Sequence, residues 1–253
     1  MITTGRRQVA PRIAIIQARM TSTRLPGKVL ADIAGKPALQ HMLERVAKAR
    51  RVDDIVVATT VNASDDPVAA LCDGLGVRHF RGDERDVLGR YRDAAAAASA
   101  RTVIRLTADC PMTDPSIVDE AIRAFELGDW DYVSNVRPRT YPDGLDVEVF
   151  SRDALEKAAV AVAQAELREH VTLYINGNRP HLGKGDFKLG SITLPGDFSH
   201  IRWTVDTSED LARIRQLMAA LPEGFGWMEA LAEASRNPSL LGLPCDSHTA
   251  DNT

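Results

Sequence analysis

The feature of this sequence that most constrains its fold is the alternation of short β-branched runs with longer helical patterns up to about residue 135. Runs of strand length recur at 13–18, 55–60, 77–80, 102–107 and 132–134. Between them, helical patterns run from 36 to about 50, from 67 onward, over 86–100 and from 115 onward. This order predicts βαβ units, and therefore an α/β fold with a mainly parallel sheet.

The pattern changes beyond residue 135. Polar and apolar residues alternate at 146–150, which predicts an antiparallel strand or arm. Ser151 is suited to cap a helix through 154–163, and 166–176 also has a helical pattern. We predict a further strand at 202–205 and a capping box at Thr207 that starts a helix ending near residue 221.

We predict one domain, because the chain has neither an internal repeat nor a linker long enough to separate two. It covers 12–235 and includes a substrate-side subregion at about 136–200. Residues 1–11 lack periodicity, and 236–253 are polar with scattered proline and glycine, so both ends are predicted to be flexible tails.

Composition excludes several classes of protein. The 253 residues carry a net charge of −4, which argues against a general nucleic-acid binder because such proteins need a basic surface. Cys72, Cys110 and Cys245 form neither a zinc spacing nor a disulfide framework, so a reducing cytoplasm fits. No signal-peptide pattern and no membrane-length apolar run are present, so we expect no membrane partner.

The loop after the first strand is the strongest candidate for a ligand site. It holds three cations, Arg19, Arg24 and Lys28, three hydroxyl side chains, and Gly27, which lets the backbone approach a ligand. Ligands of open parallel sheets bind beyond the carboxyl ends of the strands, and such a loop suits a triphosphate. A solvated basic loop is the alternative. The Walker A motif is absent, which disfavours a P-loop enzyme.

Two aspartates follow predicted strands. Asp109 comes after 102–107, and Asp206 comes after 202–205. Two carboxylates at neighbouring strand ends, together with a triphosphate, would bind Mg²⁺ well. Singly, each has an alternative: Asp109 as a turn residue, and Asp206 as a carboxylate at a helix N-terminus.

Two further segments are rich in hydrogen-bonding groups. The segment 139–148 combines polar side chains with turn-forming residues, which suits a polyhydroxylated ligand or a plain surface turn. Arg168 and His170 lie on a predicted helix, where a structural role is the commoner one. Arg81 and Asp86 are placed at a pocket edge, although salt bridges also explain them. Cys110 has no histidine partner and is interpreted as a packed small residue.

Taken together, these segments resemble a known family. The motifs, in order, are IAIIQARMTSTRLPGKVL, IVVATT, FRG with DVLGRY, TADCPMTDP, TYPDGLDVEVF, REHVTLYI and RWTVDTSEDL. They are similar to the SpsF-type spore-coat polysaccharide proteins, within the cytidylyltransferase superfamily that includes the CMP-Kdo and CMP-sialic acid synthetases. The resemblance covers roughly residues 12–220.

The resemblance implies a Rossmann-like, three-layer α/β/α fold of the nucleotide-diphospho-sugar transferase (GT-A-like) type, with a small antiparallel arm. It also implies a Mg²⁺-dependent enzyme in which a sugar hydroxyl or phosphate oxygen attacks the α-phosphorus of a nucleoside triphosphate and releases pyrophosphate. CTP is the expected donor, a sugar or sugar acid the expected acceptor, and a homodimer the expected assembly.

Site residues follow from the resemblance position by position. The catalytic set is Arg19, Lys28, Asp109 and Asp206, with the two aspartates as metal ligands. Asp109 matches more loosely, because Ala-Asp-Cys-Pro stands where the CMP-Kdo synthetases have Gly-Asp-x-Pro. The nucleotide-binding set is Gln17, Ala18, Arg19, Arg24, Gly27, Lys28, Thr59, Arg81, Asp86 and Thr107. The substrate-binding set is Asn135, Arg139, Tyr141, Asp143, Asp146, Glu148, Arg168 and His170.

Two other functions remain as alternatives. A GT-A glycosyltransferase shares the fold, but its Asp-x-Asp motif is absent, since Thr107-Ala108-Asp109 holds one aspartate. A non-catalytic nucleotide-binding regulator would not need both aspartates and Lys28.

Overall fold

The computed structural model describes residues 11–177 and 186–243. The strands are β1 (Arg12–Gln17), β2 (Asp32–Ile33), β3 (Lys36–Pro37), β4 (Asp54–Thr60), β5 (Arg78–Gly82), β6 (Thr102–Thr107), β7 (Tyr132–Ser134), β8 (Glu148–Ser151) and β9 (Leu189–Ser191). The helices are α1 (Ala38–Val46), α2 (Asp66–Leu75), α3 (Val87–Ala97), α4 (Pro115–Leu127), α5 (Arg152–Ala161), α6 (Ala165–Arg168), α7 (Ser208–Ala219) and α8 (Trp227–Arg236). Cys245 and most of both predicted tails lie outside the described residues.

Seven strands form one mainly parallel sheet in the order β5-β4-β1-β6-β8-β7-β9, and β2 and β3 form a small antiparallel pair. Strand β1 is central and pairs in parallel with β4 and β6. Strand β8 is antiparallel to both β6 and β7. The predicted fold class is confirmed. The antiparallel strand expected at 146–150 is part of the main sheet rather than an arm.

Helices cover both faces of the sheet, which gives the predicted three layers. Along β1, Ala14 and Ile16 belong to a core shared with α1, α4 and α7. Ile13 and Ile15 belong to a second core shared with α3 and α5. Because successive side chains of a strand point to opposite faces, an uninterrupted apolar run is what a strand covered on both sides requires.

Helix starts agree well with the sequence because capping chemistry is local. Ser151 accepts a hydrogen bond from the backbone N–H of Ala154 at 3.1 Å. Thr207 and Asp210 form the predicted reciprocal capping box of α7. Helix α1 begins two residues later than predicted, since Lys36–Pro37 pairs with Asp32–Ile33.

Three predictions in the second half of the chain need correction. Residues 202–205 are not a strand: Arg202 makes one isolated bridge to Asp143, and the next residues lie outside the sheet. The helix expected over 166–176 is limited to the single turn of α6, followed by turns. The folded chain also extends past residue 236, where we placed the start of a tail, because Leu240 is buried and its carbonyl accepts from the Trp203 indole at 3.2 Å.

None of the helices in the described ranges combines the length and the apolar character that crossing a membrane requires.

Candidate active site

A cleft of about 230 Å³ opens at the carboxyl ends of the central strands. Strands β1 and β6 run in parallel with Gln17 opposite Thr107, so the loops that follow them leave the sheet side by side. The cleft is lined by Gln17, Ala18, Arg19, Ser22, Thr23, Arg24, Lys28, Val29, Thr107, Ala108, Asp109 and Asp206. The loop after β1, both predicted metal-binding aspartates and Thr107 therefore meet in one place.

Lys28 lies at the centre of this cleft. Its ammonium nitrogen is 2.8 Å from Asp206 Oδ1 and 3.2 Å from Asp109 Oδ2, and its side chain is 12% exposed. Gly27 makes this placement possible: it adopts a left-handed conformation with φ +74° and donates its N–H to Met20 O at 2.9 Å. The loop is thereby folded back so that Lys28 faces the two carboxylates.

Asp206 reaches Asp109 by a route that the sequence did not indicate. The predicted strand is absent, but the backbone N–H of Val205 donates to the carbonyl oxygen of Asp109 at 2.8 Å. Trp203 N–H likewise donates to Asp143 O at 2.7 Å. An extended segment therefore crosses the carboxyl edge of the sheet and leaves Asp206 beside Asp109.

Cations surround the Asp206 carboxylate. Arg24 lies 3.0 Å from the Oδ1 atom that Lys28 also contacts, and Arg202 Nη2 lies 2.5 Å from Oδ2. Burial alone would raise the pKa of Asp206, but Lys28, Arg202 and Arg24 outweigh it and hold that pKa below its ordinary value. Asp206 is therefore a carboxylate over the whole neutral range.

Arg19 lies at the edge of the cleft between two carboxylates. Its guanidinium is 3.4 Å from Glu84 and 3.7 Å from Glu169. Glu84 also accepts from the hydroxyl of Thr21 and from Asn62 Nδ2 at 2.6 Å. The bond from Thr21 is the largest of the contacts that lower the pKa of Glu84. Glu84 thus connects the loop after β1 to the segments that follow β4 and β5.

The two carboxylates of the cleft could bind a hard divalent cation whose other ligands come from a substrate. Among the described residues, no group of three or more His, Cys, Asp or Glu side chains forms a complete metal site. Asp109 and Asp206 supply two carboxylates, and Mg²⁺ is commonly bound by one or two carboxylates completed by phosphate oxygens and water.

The acceptor-side residues form an ion-pair cluster next to the cleft. Arg139 binds both oxygens of Asp146, with Nη2–Oδ2 at 2.7 Å, and lies 3.4 Å from Asp143. Arg202 Nη1 lies 3.6 Å from Asp143 on the other side. Burial and the charge of Asp146 raise the pKa of Asp143, although both arginines oppose that shift.

Several predicted binding residues are used inside the protein. Glu148 is buried and forms an ion pair with Arg105. It also accepts hydrogen bonds from Tyr132 Oη at 2.6 Å and from Thr172 Oγ1 at 2.7 Å. Asn135 bridges the backbone of 145 and 147. The structure assigns both side chains to internal contacts.

A second group of predicted binding residues makes contacts between helices and strand ends. Arg168, predicted to bind substrate, pairs with Asp86 at 2.8 and 2.9 Å, so the two predicted ligand residues bind each other. Arg81 holds the carbonyl oxygens of Thr60 and Asn62. These three residues connect α6, α3 and the strand ends.

The remaining predicted residues differ in exposure. Thr59 is buried at the end of β4 with no hydrogen-bond partner for its hydroxyl within the described residues. Tyr141 is buried and contacts Glu120 at 3.3 Å. His170 is exposed. The structure therefore brings the donor-side residues together better than the acceptor-side ones.

The sequence analysis missed two members of this site, Arg202 and Glu84. Each is a single charged side chain whose contacts are set by the fold: Arg202 contacts Asp143 and Asp206, and Glu84 contacts Arg19 and Thr21. Glu84 lies in the charged stretch 83–92, which is typical of a solvated surface, and Arg202 is a lone cation next to a strand-like run. Neither position carries a sequence signal that would have singled it out.

A family model described as cytidylyltransferase matches residues 13–233. The spore coat polysaccharide biosynthesis protein SpsF of Bacillus subtilis is 35% identical over 235 residues, which cover 88% of this chain and 94% of SpsF. The 3-deoxy-manno-octulosonate cytidylyltransferase of Geobacter sulfurreducens is 43% identical over 111 residues, 43% of each chain. A solved cytidylyltransferase from Leptospira borgpetersenii superposes with a TM-score of 0.87 at 31% identity, covering 94% of this chain and 100% of that one.

Proposed function

This chain belongs to the cytidylyltransferase family and is a nucleotidyltransferase, and we propose that it uses CTP and Mg²⁺ to couple CMP to a sugar, a sugar acid or a related phosphorylated acceptor. The acceptor oxygen, either a phosphate oxygen or a hydroxyl oxygen that releases its proton to solvent, attacks the α-phosphorus of CTP. The bond between the α-phosphorus and the bridging oxygen breaks, and pyrophosphate leaves.

The observation that carries this proposal is the position of Lys28 between Asp109 and Asp206, 3.2 and 2.8 Å away. A lysine and two carboxylates at the bottom of a cleft suit a triphosphate with its divalent cation, because each group has a partner of opposite charge. Arg19 and Arg24 belong to the same cleft lining. A site for a neutral ligand would need none of this charge.

The donor side would work by exchange of ionic partners. In the free protein, Lys28 and Arg24 neutralise Asp206, and Lys28 also contacts Asp109. With a triphosphate bound, Lys28 and Arg24 would contact phosphate oxygens, and Asp109 and Asp206 would be the residues that hold Mg²⁺. Mg²⁺ held by these two carboxylates would supply Lewis acidity for phosphoryl transfer. Lys28, Arg24 and Arg19 then stabilise the negative charge that develops on the departing pyrophosphate.

The acceptor side is proposed to use the cluster of Arg139, Asp143, Asp146 and Arg202 together with the exposed His170. Paired carboxylates and guanidiniums offer both hydrogen-bond donors and acceptors, which a polyhydroxylated acceptor requires. A sugar or sugar acid is supported by the relatives: one acts in spore coat polysaccharide biosynthesis, and another is a 3-deoxy-manno-octulosonate cytidylyltransferase. A cytoplasmic location and a homodimer stay predictions from sequence.

The proposal can be tested by pyrophosphate release. The protein is incubated with Mg²⁺, each of CTP, UTP, GTP and ATP in turn, and a pooled library of sugar phosphates and sugar acids. We expect release with CTP, reduced by about 100-fold or more in Asp206→Asn. The matched control is Asp129→Asn, which alters a carboxylate that is 92% exposed and paired with Lys188; its rate should equal that of the unaltered protein.

Each other outcome identifies a competing function. Release with another nucleotide would retain the reaction and replace the base. Consumption of a nucleotide-sugar without pyrophosphate release would favour a GT-A glycosyltransferase. Nucleotide binding seen by calorimetry, with no turnover of any donor, would favour a non-catalytic regulator.

A further inference from the structure

The carboxylate of Asp206 is held from two sides by cations that belong to different parts of the fold. Its Oδ1 atom faces Lys28 and Arg24, which belong to the loop after β1. Its Oδ2 atom accepts from Arg202 Nη2 at 2.5 Å. The first two cations line the cleft, whereas Arg202 is not part of that lining.

Arg202 is anchored away from the cleft. Its Nη2 atom lies 3.4 Å from Asp210 Oδ2, and its backbone N–H donates to Leu241 O at 2.9 Å. Asp210 is buried and caps α7 by accepting from the backbone N–H groups of 206 and 207, both at 3.0 Å. A phosphate that draws Lys28 and Arg24 away from Asp206 therefore leaves Arg202 in place.

The other end of the same guanidinium faces the acceptor side. Arg202 Nη1 lies 3.6 Å from Asp143 Oδ2, and Asp143 is paired with Arg139. One planar group thus connects the proposed metal-binding carboxylate with the proposed acceptor cluster. Because guanidinium donors have a fixed geometry, a planar group held at both ends fixes the direction of each carboxylate that it contacts.

We propose that Arg202 is a positioning residue that holds the Asp206 carboxylate in the orientation needed to bind the divalent cation. The inference rests on the proposed function, since it assigns Asp206 to that cation. Partners that orient metal ligands typically contribute about 10- to 100-fold in metal affinity or activity. Loss of Arg202 should therefore weaken cation binding and lower kcat, with little change in the KM for CTP, because Arg19, Arg24 and Lys28 remain.

The test compares Arg202→Gln and Arg202→Lys with the control Arg213→Gln. Arg213 pairs with Oδ1 of Asp210, whereas Arg202 contacts Oδ2 of the same residue. Loss of Arg213 therefore removes an ion pair from Asp210 and leaves the contacts of Asp206 unchanged. Mn²⁺ serves as a paramagnetic probe for Mg²⁺, and its binding is measured as the decrease in the electron paramagnetic resonance signal of free Mn²⁺. The decrease in samples of protein with CTP is compared with that in samples of CTP alone. Urea unfolding of every variant measures the stability lost.

We expect Arg202→Gln to weaken Mn²⁺ binding by about 10-fold or more, Arg202→Lys to recover part of that loss, and Arg213→Gln to bind as the unaltered protein does. Equal Mn²⁺ affinity in Arg202→Gln and Arg213→Gln would overturn the proposal and leave Arg202 a structural residue. Absence of Mn²⁺ binding by the unaltered protein would overturn it as well. If the unaltered protein binds Mn²⁺ but releases no pyrophosphate, the proposed reaction fails while the role of Arg202 is still decided by the binding data.

Discussion

Replacing Gly144 by alanine would test how closely the segment that carries Asp206 is held against the acceptor-side turn. Gly144 has φ +106°, and a Cβ built on it would lie 2.7 Å from the carbonyl carbon of Trp203 and 2.9 Å from the nitrogen of Thr204. Both neighbours are backbone atoms, so no side-chain rotation can relieve the contact. Alanine requires the two segments to separate.

The structure sets the size of the effect. A left-handed conformation costs a residue other than glycine about 1–2 kcal/mol. Separation also weakens the hydrogen bonds from Asp143 N–H to Ile201 O at 2.9 Å and from Trp203 N–H to Asp143 O at 2.7 Å, each worth about 0.5–1.5 kcal/mol. We expect a loss of about 2–5 kcal/mol in the free energy of unfolding. Because Arg202 and Asp206 move with the segment, a displacement on the order of 1 Å should also lower turnover by about 100-fold.

Gly76→Ala is the matched control. Gly76 ends α2 with φ +67°, and no atom lies within 4 Å of the Cβ that would be added. This variant should lose about 1–2 kcal/mol from backbone conformation alone and retain its rate of pyrophosphate release. Urea denaturation and turnover at saturating CTP are measured for both variants. Equal losses of stability, or normal turnover in a folded Gly144→Ala, would refute the reasoning.

Three further predictions concern single side chains. Lys28→Met should lower kcat/KM for pyrophosphate release, because it removes the cation between the two aspartates. The expected loss of transition-state stabilisation is about 2–4 kcal/mol. Glu148→Gln should cost about 3–5 kcal/mol in urea denaturation, since it leaves Arg105 buried without its counter-charge. Burial would raise the pKa of Glu148, but Arg105 outweighs it and holds that pKa below its ordinary value, so this contribution to stability is present at neutral pH and is lost as the pH falls through the lowered pKa. Burial raises the pKa of Cys72 to about 11 and that of Cys110 well above its ordinary value, so neither thiol should be alkylated at pH 8 in the folded protein, as peptide mapping would show.

An exposed ion pair supplies matched controls for the first two of these variants. Lys36 and Glu44 lie 2.7 Å apart, and each side chain is 41% exposed. Lys36→Met and Glu44→Gln should leave turnover and stability close to those of the unaltered protein, because an exposed ion pair contributes little. If Lys28→Met matched Lys36→Met in turnover, or Glu148→Gln matched Glu44→Gln in stability, the corresponding role would be wrong. Alkylation of either thiol before unfolding would contradict its burial.

The sheet and the helix starts were predictable because their signals are local. The central strands are apolar runs covered on both faces, and Ser151 and Thr207 cap helices with bonds to residues three positions away. The strand predicted at 202–205 was wrong for the opposite reason. Its alternating residues fit a strand pattern, but its backbone hydrogen bonds go to Asp109, Asp143 and Leu241, which no local pattern specifies.

The candidate site divides in the same way. Lys28 and Asp109 follow β1 and β6, and loops after neighbouring parallel strands gather at one edge of the sheet. For Asp206 the same argument assumed a strand that is absent, and the Val205 bond to Asp109 brings it there instead. Glu148 was placed among the substrate-binding residues by the resemblance alone, which does not specify where the side chain points. That side chain faces the interior, where Arg105 from the neighbouring strand neutralises it.

The bond between Lys28 and Asp206 also bears on the order in which this protein is made. It joins residues 178 positions apart in the chain. During synthesis, β1 and its loop emerge first, and they can pair with β4 and β6 long before residue 206 leaves the ribosome. The two carboxylates come together only when the segment before α7 docks on Asp109. A nascent or truncated chain that ends before this segment would therefore hold the loop after β1 without the second carboxylate of the proposed cation site, and the proposed activity would be among the last properties that the folding chain acquires.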